Sequence, residues 1–507
     1  MTVTPNSVIR ILKGVPFNST YRDSTIFSST EAQTNYFIGK TFKQFSNCTY
    51  VRESNTIKVE CNADEIHDCN YIMYKNTNFN NKWFYAFINE VKYISNTVCE
   101  ISFDIDVIQT YQFDFEILQC FVEREHTKND TIGNNTQPEN LELGEYIKYN
   151  ELMELTPTSW YYVVVTTEWL PDPTAMSSGI YKYGESYSPN QFAFKELDTV
   201  SNYLKELNVL GKIDSVIGVY MLPSWGVNNR VADTGFMGGN NEVTTLEVRL
   251  NKKYDSLDGW TPKNNKLYTY PYHFIQVTNH LGANIPIEQE YITGSDIIFK
   301  LYVQSVIGGK CKITPLNYKG IGENEEYGIE TFPYPQLPFT TDSFQTWLAQ
   351  NENTNRLAML GSLTNNVMSV ATGNIGGFVS SISNITNILG KKKDLQTLPN
   401  QCKGNITGNI LIGKDKFIGI YRMGIKNEYA IIIDEFFTMY GYATNRIKKP
   451  NINTRPYFNY VKTIGAKIKG DLSNEETTKI CNIFDSGITL WKNPDHVGNY
   501  SLDNSIN

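Results

Sequence analysis

Charge is scarce in this sequence, and histidine scarcer. Only 19% of its 507 residues are charged, and the histidines number five (His67, His126, His273, His280 and His496). With so few imidazoles, no nucleophile-and-base pair stands out. Eight cysteines (Cys48, Cys61, Cys69, Cys99, Cys120, Cys311, Cys402 and Cys481) are scattered without a C-x-x-C pair. Reduced, mostly buried thiols are therefore expected rather than a disulfide framework. Gly308-Gly309 and Gly376-Gly377 are not followed by Lys-Ser/Thr, so no phosphate loop is present, and no G-x-S-x-G occurs. Cys61, Asp64, His67 and Cys69 in CNADEIHDC match no zinc spacing and read as a polar hairpin loop. Glu123, Glu125 and His126 read as a solvated strand edge rather than as metal ligands. No catalytic residue, cofactor site or metal site is assigned. Net charge is −8 and no basic block is long enough to track a phosphate backbone, which argues against tight nucleic-acid binding. MTVTPNSVIRILKGVPFNST lacks the basic start, apolar run and small-residue site of a secretory signal, so synthesis in a cytoplasm is expected. No repeat of fixed period is found, which speaks against solenoids and propellers.

What is abundant is aromatic and β-prone. Tyr (33) and Phe (26) are frequent, and hydrophobic residues make up 40%. In EISFDIDVIQ, Ile101, Phe103, Ile105 and Val107 alternate with Glu100, Ser102, Asp104 and Asp106, the period of two that faces one side of a strand to a core. Further strands are expected around Ile57 and Val59, from Trp83 to Ile94, Trp160 to Val165 and Val216 to Leu222, with a hairpin turning at Gly308-Gly309. Helices are few. Ser28 with Glu31, and Ser473 with Glu476, fit the S-x-x-E capping box, and Gly487 closes the second of these helices. EYAIIIDEFFTMYGY is read as a strand through Ile433 followed by a short helix ending at Gly441.

The fold class is mainly β and multi-domain, with a few short helices and one long hydrophobic insertion. Polar, turn-rich stretches suggest the divisions: 1–125, a connecting loop 126–150, a middle β-rich domain 151–330, a proline-rich linker 331–344 whose prolines prevent regular pairing, an inserted segment 345–399, and a β domain with short helices over 400–507. The insertion is foreign in composition. From Leu357 to Gly390 it carries no charge, and then come Lys391, Lys392 and Lys393. Leu357, Leu360, Leu363, Val367 and Val370 recur at helical spacing, a break at Thr372–Gly377 follows, and Phe378, Ile382, Ile385 and Leu389 resume it. The second arm would span about 18 Å, short of a hydrocarbon core of about 30 Å. The opposite faces carry Asn and Ser, which enter lipid at far lower cost than charged groups. A buried helical hairpin, conditional membrane insertion and a flexible linker all remain open on these residues alone.

Longer stretches carry a resemblance. QTYQFDFEILQCFVEREHTKNDTIGNNTQPENLELGEY (109–146), IIIDEFFTMYGYATNRIKKPNINTRPYFNYVKT (431–463), ICNIFDSGITLW (480–491) and ILKGVPFNSTYRDSTIFSSTEAQTNYF (11–37) resemble the tail knob, or distal tail tube, proteins of small short-tailed, protein-primed phages of Gram-positive bacteria. The likeness spans nearly the whole chain in order and is thinnest over 152–328. It implies a homohexameric tube of β-barrel or sandwich-type domains in the virion's distal tail, passing double-stranded DNA and joined to upper tail, collar and tip proteins. It also implies that each subunit carries a loop that plugs the tube and then enters the lipids of the host cytoplasmic membrane. Carried onto this chain, that loop holds Leu357, Leu360, Leu363, Val367, Val370, Ile375, Gly376, Gly377, Phe378, Val379, Ile382, Ile385, Ile388 and Leu389. Lys391, Lys392 and Lys393 would lie at the membrane surface. An adhesin using its aromatics on cell-wall glycans and a wall-degrading enzyme, whose carboxylate pair leaves no local signature, are the alternatives.

Overall fold

The computed structural model describes residues 6–48, 50–51, 55–77, 80–155, 160–167, 181–183, 186–188, 190–196, 199–200, 203–204, 207, 212, 215–224, 235–236, 244–253, 256–280, 282–304, 309–319, 328–330, 336–337, 339–340, 402–403 and 418–504. The chain is mainly β. It divides into two units that interleave in sequence: unit 1 is 1–145, 256–269 and 425–507, and unit 2 is 146–255 and 270–424.

Unit 1 contains a seven-stranded sheet in the order Thr41–Cys48, Ser7–Leu12, Tyr71–Asn76, Trp83–Ser95, Val98–Ile105, Thr56–Val59, Tyr50–Val51. Both faces are covered at its centre. Ile72, Tyr74, Ala86, Ile101 and Phe103 enter one apolar cluster. Tyr71, Met73, Tyr85 and Phe87 point the other way, onto helix α1 (Thr30–Gly39) through Phe37. This is why Tyr71 to Tyr74 are all buried, where a half-solvated strand would alternate. The helix cap is Ser29, not Ser28: its side chain accepts the Ala32 N–H. The CNADEIHDC stretch is not simply a hairpin loop, because Asn62 caps a short helix α2 (Ala63–Ile66) that buries Ile66 in the first cluster. The strand through Ile105 also stops short of Val107. Asp106 takes the N–H groups of Ile108 and Gln109 on one carboxylate oxygen and starts helix α3 (Val107–Tyr111). A side chain that bonds its own downstream backbone ends a strand that alternation alone would continue.

A second sheet in unit 1 runs Asp23–Thr25, Ile488–Trp491, Phe458–Ile464, Cys120–Glu125, Tyr442–Lys448. Helix α4 (Asn427–Tyr440) corrects the strand-then-helix expectation for EYAIIIDEFFTMYGY. Its buried residues Ala430, Ile433, Asp434, Phe437 and Thr438 recur every three to four positions, with an aspartate where an apolar residue would have made the period legible. Gly441 ends it at φ +66°, and a Cβ there would lie 2.2 Å from the Glu125 carbonyl oxygen. Helix α5 (Asn474–Ser486) has the expected capping box between Ser473 and Glu476, and Gly487 at its end. It buries Ile480 and Phe484 against Val461, Ile488 and Leu490.

Among the carboxylates buried in unit 1, Glu139, Asp434 and Asp130 hold segment 256–269. Glu139, with 1% of its side chain exposed, meets Lys266 at 2.6 Å, accepts the Ala443 N–H and pairs with Arg124. Burial pulls the Lys266 ammonium below its ordinary value despite Glu139 beside it. Asp434 accepts Trp260 Nε1, the N–H groups of Lys263 and Asn264, and Asn264 Nδ2, all at 2.9–3.1 Å. Asp130 accepts the Tyr442 hydroxyl and the Asn265 N–H. Segment 256–269, far from either end of the chain, is thereby tied to 130–139 and 434–443.

Unit 2 has a four-stranded sheet (Tyr146–Leu155, Ile418–Ile425, His273–Thr278, Asn284–Ile287), a five-stranded one (Gly235–Phe236, Asn190–Phe194, Trp160–Thr166, Val216–Pro223, Gln336–Leu337) and a further four-stranded one (Thr244–Asn251, Asp296–Val303, Cys311–Pro315, Ile329–Glu330). One apolar cluster gathers side chains from all three, including Val163, Tyr220, Ile275, Phe299, Ile313 and Ile420. Asp296–Val303 and Cys311–Pro315 pair antiparallel as the Gly308-Gly309 signal implied, with Val303 opposite Cys311. Glu290 is 7% exposed: Oε1 accepts the Tyr270 N–H at 2.9 Å, and Oε2 has no partner among the described residues. Burial pushes this carboxyl up to about 7.

Two outcomes are expected. Glu139→Gln leaves Lys266 and Arg124 buried without their carboxylate, and urea unfolding monitored on unit 1 should show a loss of about 3–5 kcal/mol. The Glu290 carboxyl holds its proton more tightly folded than unfolded. Its stabilisation is therefore complete below the ordinary value of 4.5 and is lost as pH rises to about 7. Hydrogen exchange of the His273–Thr278 amides should accelerate over that window in the wild type relative to Glu290→Gln; parallel pH profiles would contradict the assignment.

Candidate functional site

The uncharged segment Leu357–Gly390 and the lysines Lys391, Lys392 and Lys393 lie outside the described residues. What the structure does place is the chain on either side of them. Gln336–Leu337 forms the last strand of the five-stranded sheet in unit 2, with Leu337 opposite Val219 and Gln336 opposite Tyr220. Tyr220 is fully buried and its hydroxyl donates to Gln191 Oε1 at 2.7 Å. Three residues on, Phe339–Thr340 leaves that sheet and pairs antiparallel with Cys402–Lys403, Phe339 opposite Lys403 and Thr340 opposite Cys402. Residues 341–401 thus leave and return through one pair of strands, a neck of two rungs.

The neck departs from the expectation for 331–344, where the prolines were read as preventing pairing. Pro338 has no N–H and stands between two short paired stretches whose partners differ. One ladder ends at Leu337 and the next begins at Phe339. After the neck, Ile418–Ile425 enters the four-stranded sheet between Tyr146–Leu155 and His273–Thr278, burying Ile418 and Ile420 in the unit 2 core. Gly424 is needed there, since a Cβ would come within 2.5 Å of the Tyr149 ring. The neck residues escaped sequence reading because two β-prone residues beside prolines, paired with two more over sixty positions away, leave no periodic signal.

Other sequence candidates resolve into structure. Glu123, Glu125 and His126 do not form a solvated edge: Glu125 and His126 are buried. Glu125 pairs with Lys448 and accepts the Asn451 N–H, while Glu123 pairs with Lys462 at 2.9 Å. His126 bridges the Thr438 carbonyl and the Tyr460 N–H, and burial, with Arg455 nearby, holds its imidazole well below the usual range, so Nδ1 is the acceptor and Nε2 the donor. Tyr71, Tyr85, Tyr220, Tyr272, Tyr442 and Trp491 are buried side chains of the core rather than exposed platforms for sugars. Among the described residues no group of three or more His, Cys, Asp or Glu is placed to hold a metal ion. No described helix is long and apolar enough to cross a membrane.

Comparison with known proteins extends this geometry. Residues 5–116 match the model of the caudoviral major tail protein N-terminus. Over the whole chain, the tail knob protein gp9 of Bacillus phage B103 is 27% identical and that of Bacillus phage phi29 is 26% identical, each alignment covering 98% of both chains. The solved tail knob protein gp12 of bacteriophage C1 has the same fold, with a TM-score of 0.64 at 16% identity over 99% of both chains. Residues 238–505, more than half of the chain, match the model of the C-terminal domain of Bacillus phage phi29 tail knob protein gp9. That stretch begins in unit 2, takes in both rungs of the neck and ends with the second sheet of unit 1; the chain accordingly belongs to the phage tail knob protein family and is a structural component of the virion's distal tail.

Proposed function

We propose that six copies of the chain form the distal tube through which phage double-stranded DNA is ejected, and that the segment Leu357–Gly390 plugs this tube before entering the host cytoplasmic membrane. The observation that carries the reading is the neck: in sequence, the segment without charge lies between two strands that pair with each other, Phe339–Thr340 and Cys402–Lys403, and Gln336–Leu337 before them joins a sheet that contributes to the unit 2 core. Such an attachment allows the segment to change surroundings without unfolding the sheets that carry it. Two amphipathic arms around Thr372–Gly377, each too short to span alone, suit an assembly in which several copies cover one another's apolar faces. In lipid the same faces would meet acyl chains, while Ser380, Ser383, Asn384 and Asn387 line a wet interior. Lys391, Lys392 and Lys393 would remain at an anionic surface, each favourable by about 1 kcal/mol. The role is mechanical, not catalytic, and calls for upper tail, collar and tip proteins as partners.

Replacing 357–390 with a Gly/Ser linker of equal length should leave the assembled mass unchanged and abolish dye leakage from anionic vesicles. Leakage at the wild-type rate would move the membrane activity elsewhere in the chain. The neck can be tested separately. Thr340→Cys places a thiol directly opposite Cys402, within the reach of a disulfide. Mild oxidation should link residues 340 and 402, seen as one joined peptide by non-reducing mass spectrometry, and two free thiols after oxidation would rule out the pairing.

A further inference from the structure

Lys266 and Glu139 meet away from water: 2% of the first side chain and 1% of the second is exposed. They stand 127 residues apart in the chain, with Lys266 Nζ 2.6 Å from Glu139 Oε1. Aromatic rings wall the pair, since the same nitrogen lies 5.5 Å from the centre of the Phe437 ring and 5.3 Å from that of Tyr442. The carboxyl is held in place from its other side. Oε1 also accepts the Ala443 N–H at 2.8 Å, while Oε2 pairs with Arg124, whose guanidinium donates to the Gly441 carbonyl at 2.7 Å. The carboxylate of Asp130 is engaged elsewhere, by the Tyr442 hydroxyl and the Asn265 N–H. A contact of 2.6 Å to one oxygen brings Nζ within about 3.5 Å of the carboxyl carbon, the separation from which bonds form. Burial, which pulls the Lys266 ammonium below its ordinary value, favours the neutral amine, the form that attacks carbon.

We infer that Lys266 and Glu139 condense to an amide, a covalent cross-link that the folded chain makes from its own side chains. The ammonium first passes a proton along the short contact to Oε1, leaving an amine and a carboxylic acid. Nζ then bonds to the carboxyl carbon, and the carbonyl electron pair moves onto Oε2, where the Arg124 guanidinium meets the charge. Nζ gives a second proton to Oε1, the bond from carbon to Oε1 breaks, and Oε1 departs as water. One ammonium and one carboxylate thus become one amide and one water, with no oxidant and no other reactant. The surrounding rings exclude the water that would drive the reaction back. Both residues belong to unit 1, and between them the chain makes its excursion 146–255 into unit 2. The amide therefore ties together the two ends of that excursion, 126–145 and 256–269. An ion pair at the same place yields once water enters; an amide does not.

The test takes the full chain, purified in its folded state, to intact mass spectrometry and a tryptic map. The wild type should be one water lighter than its linear sequence, and the peptides holding Glu139 and Lys266 should appear as one branched species. Lys266→Arg keeps the positive charge without the primary amine and should restore the linear mass. A water still missing from that variant would place the bond elsewhere and overturn the inference. So would a wild type in which residues 139 and 266 lie on separate peptides, whether its mass is that of the linear chain or lower by a water lost at Asp258-Gly259. Denaturing electrophoresis needs no folded variant: the loop closed by the amide should make the unfolded wild type migrate ahead of unfolded Lys266→Arg, and equal migration would contradict the cross-link.

Discussion

Burial of Glu139 between Lys266 and Arg124, together with Asp434 against the backbone of 263–264, is the constraint on which unit 1 depends. The chain enters unit 2 at residue 146, returns for 256–269, leaves again at 270 and comes back only at 425. The short return has few apolar side chains of its own to hold it. Leu267 and Tyr268 are buried, but the specificity comes from charges and backbone N–H groups taken out of water, which stabilise only if every partner is present. Asp434 meets that condition with four donors, and Asn264 donates in addition to the Thr438 hydroxyl and the Asp434 carbonyl. An apolar clasp of equal size would hold with less dependence on register; a carboxylate surrounded by fixed donors accepts one register only.

The same logic runs in reverse at the neck. There Phe339–Thr340 and Cys402–Lys403 meet over two rungs of ladder, whereas 256–269 is held by carboxylates buried with their donors. Unit 2 places its apolar mass beneath the strands leading to the neck, through Tyr220 and Ile420.

Much of the β structure was legible in the sequence, and the misses have identifiable causes. The strands Trp83–Ser95, Trp160–Thr166 and Val216–Pro223 lie where their β-branched and aromatic runs indicated. Helix α5 follows from Ser473, Glu476 and Gly487, residues that act on their own backbone within a few positions. Helix α4 was misread at its first half because Asp434 breaks the apolar stripe, and an aspartate can be buried there only with donors supplied from residue 260 onward. Val107 was misread because Asp106, taken as the solvent side of a strand, is fully buried, with the Tyr71 hydroxyl on its carboxylate.

What the sequence determined by itself was therefore local: which runs pair as strands, where side chains cap helices, and that one long stretch is free of charge. These depend on periodicity and on contacts within a few residues, which a linear reading contains. The tertiary structure alone decided that the polar loop 126–146 buries Asp130 and Glu139, that 256–269 returns to unit 1, and that Thr340 meets Cys402. Each of these brings together groups far apart in the chain, and the free energy that selects them comes from desolvating a charge or closing a ladder against a distant partner. No single residue in such a pair carries the information; it arises only when both are in place.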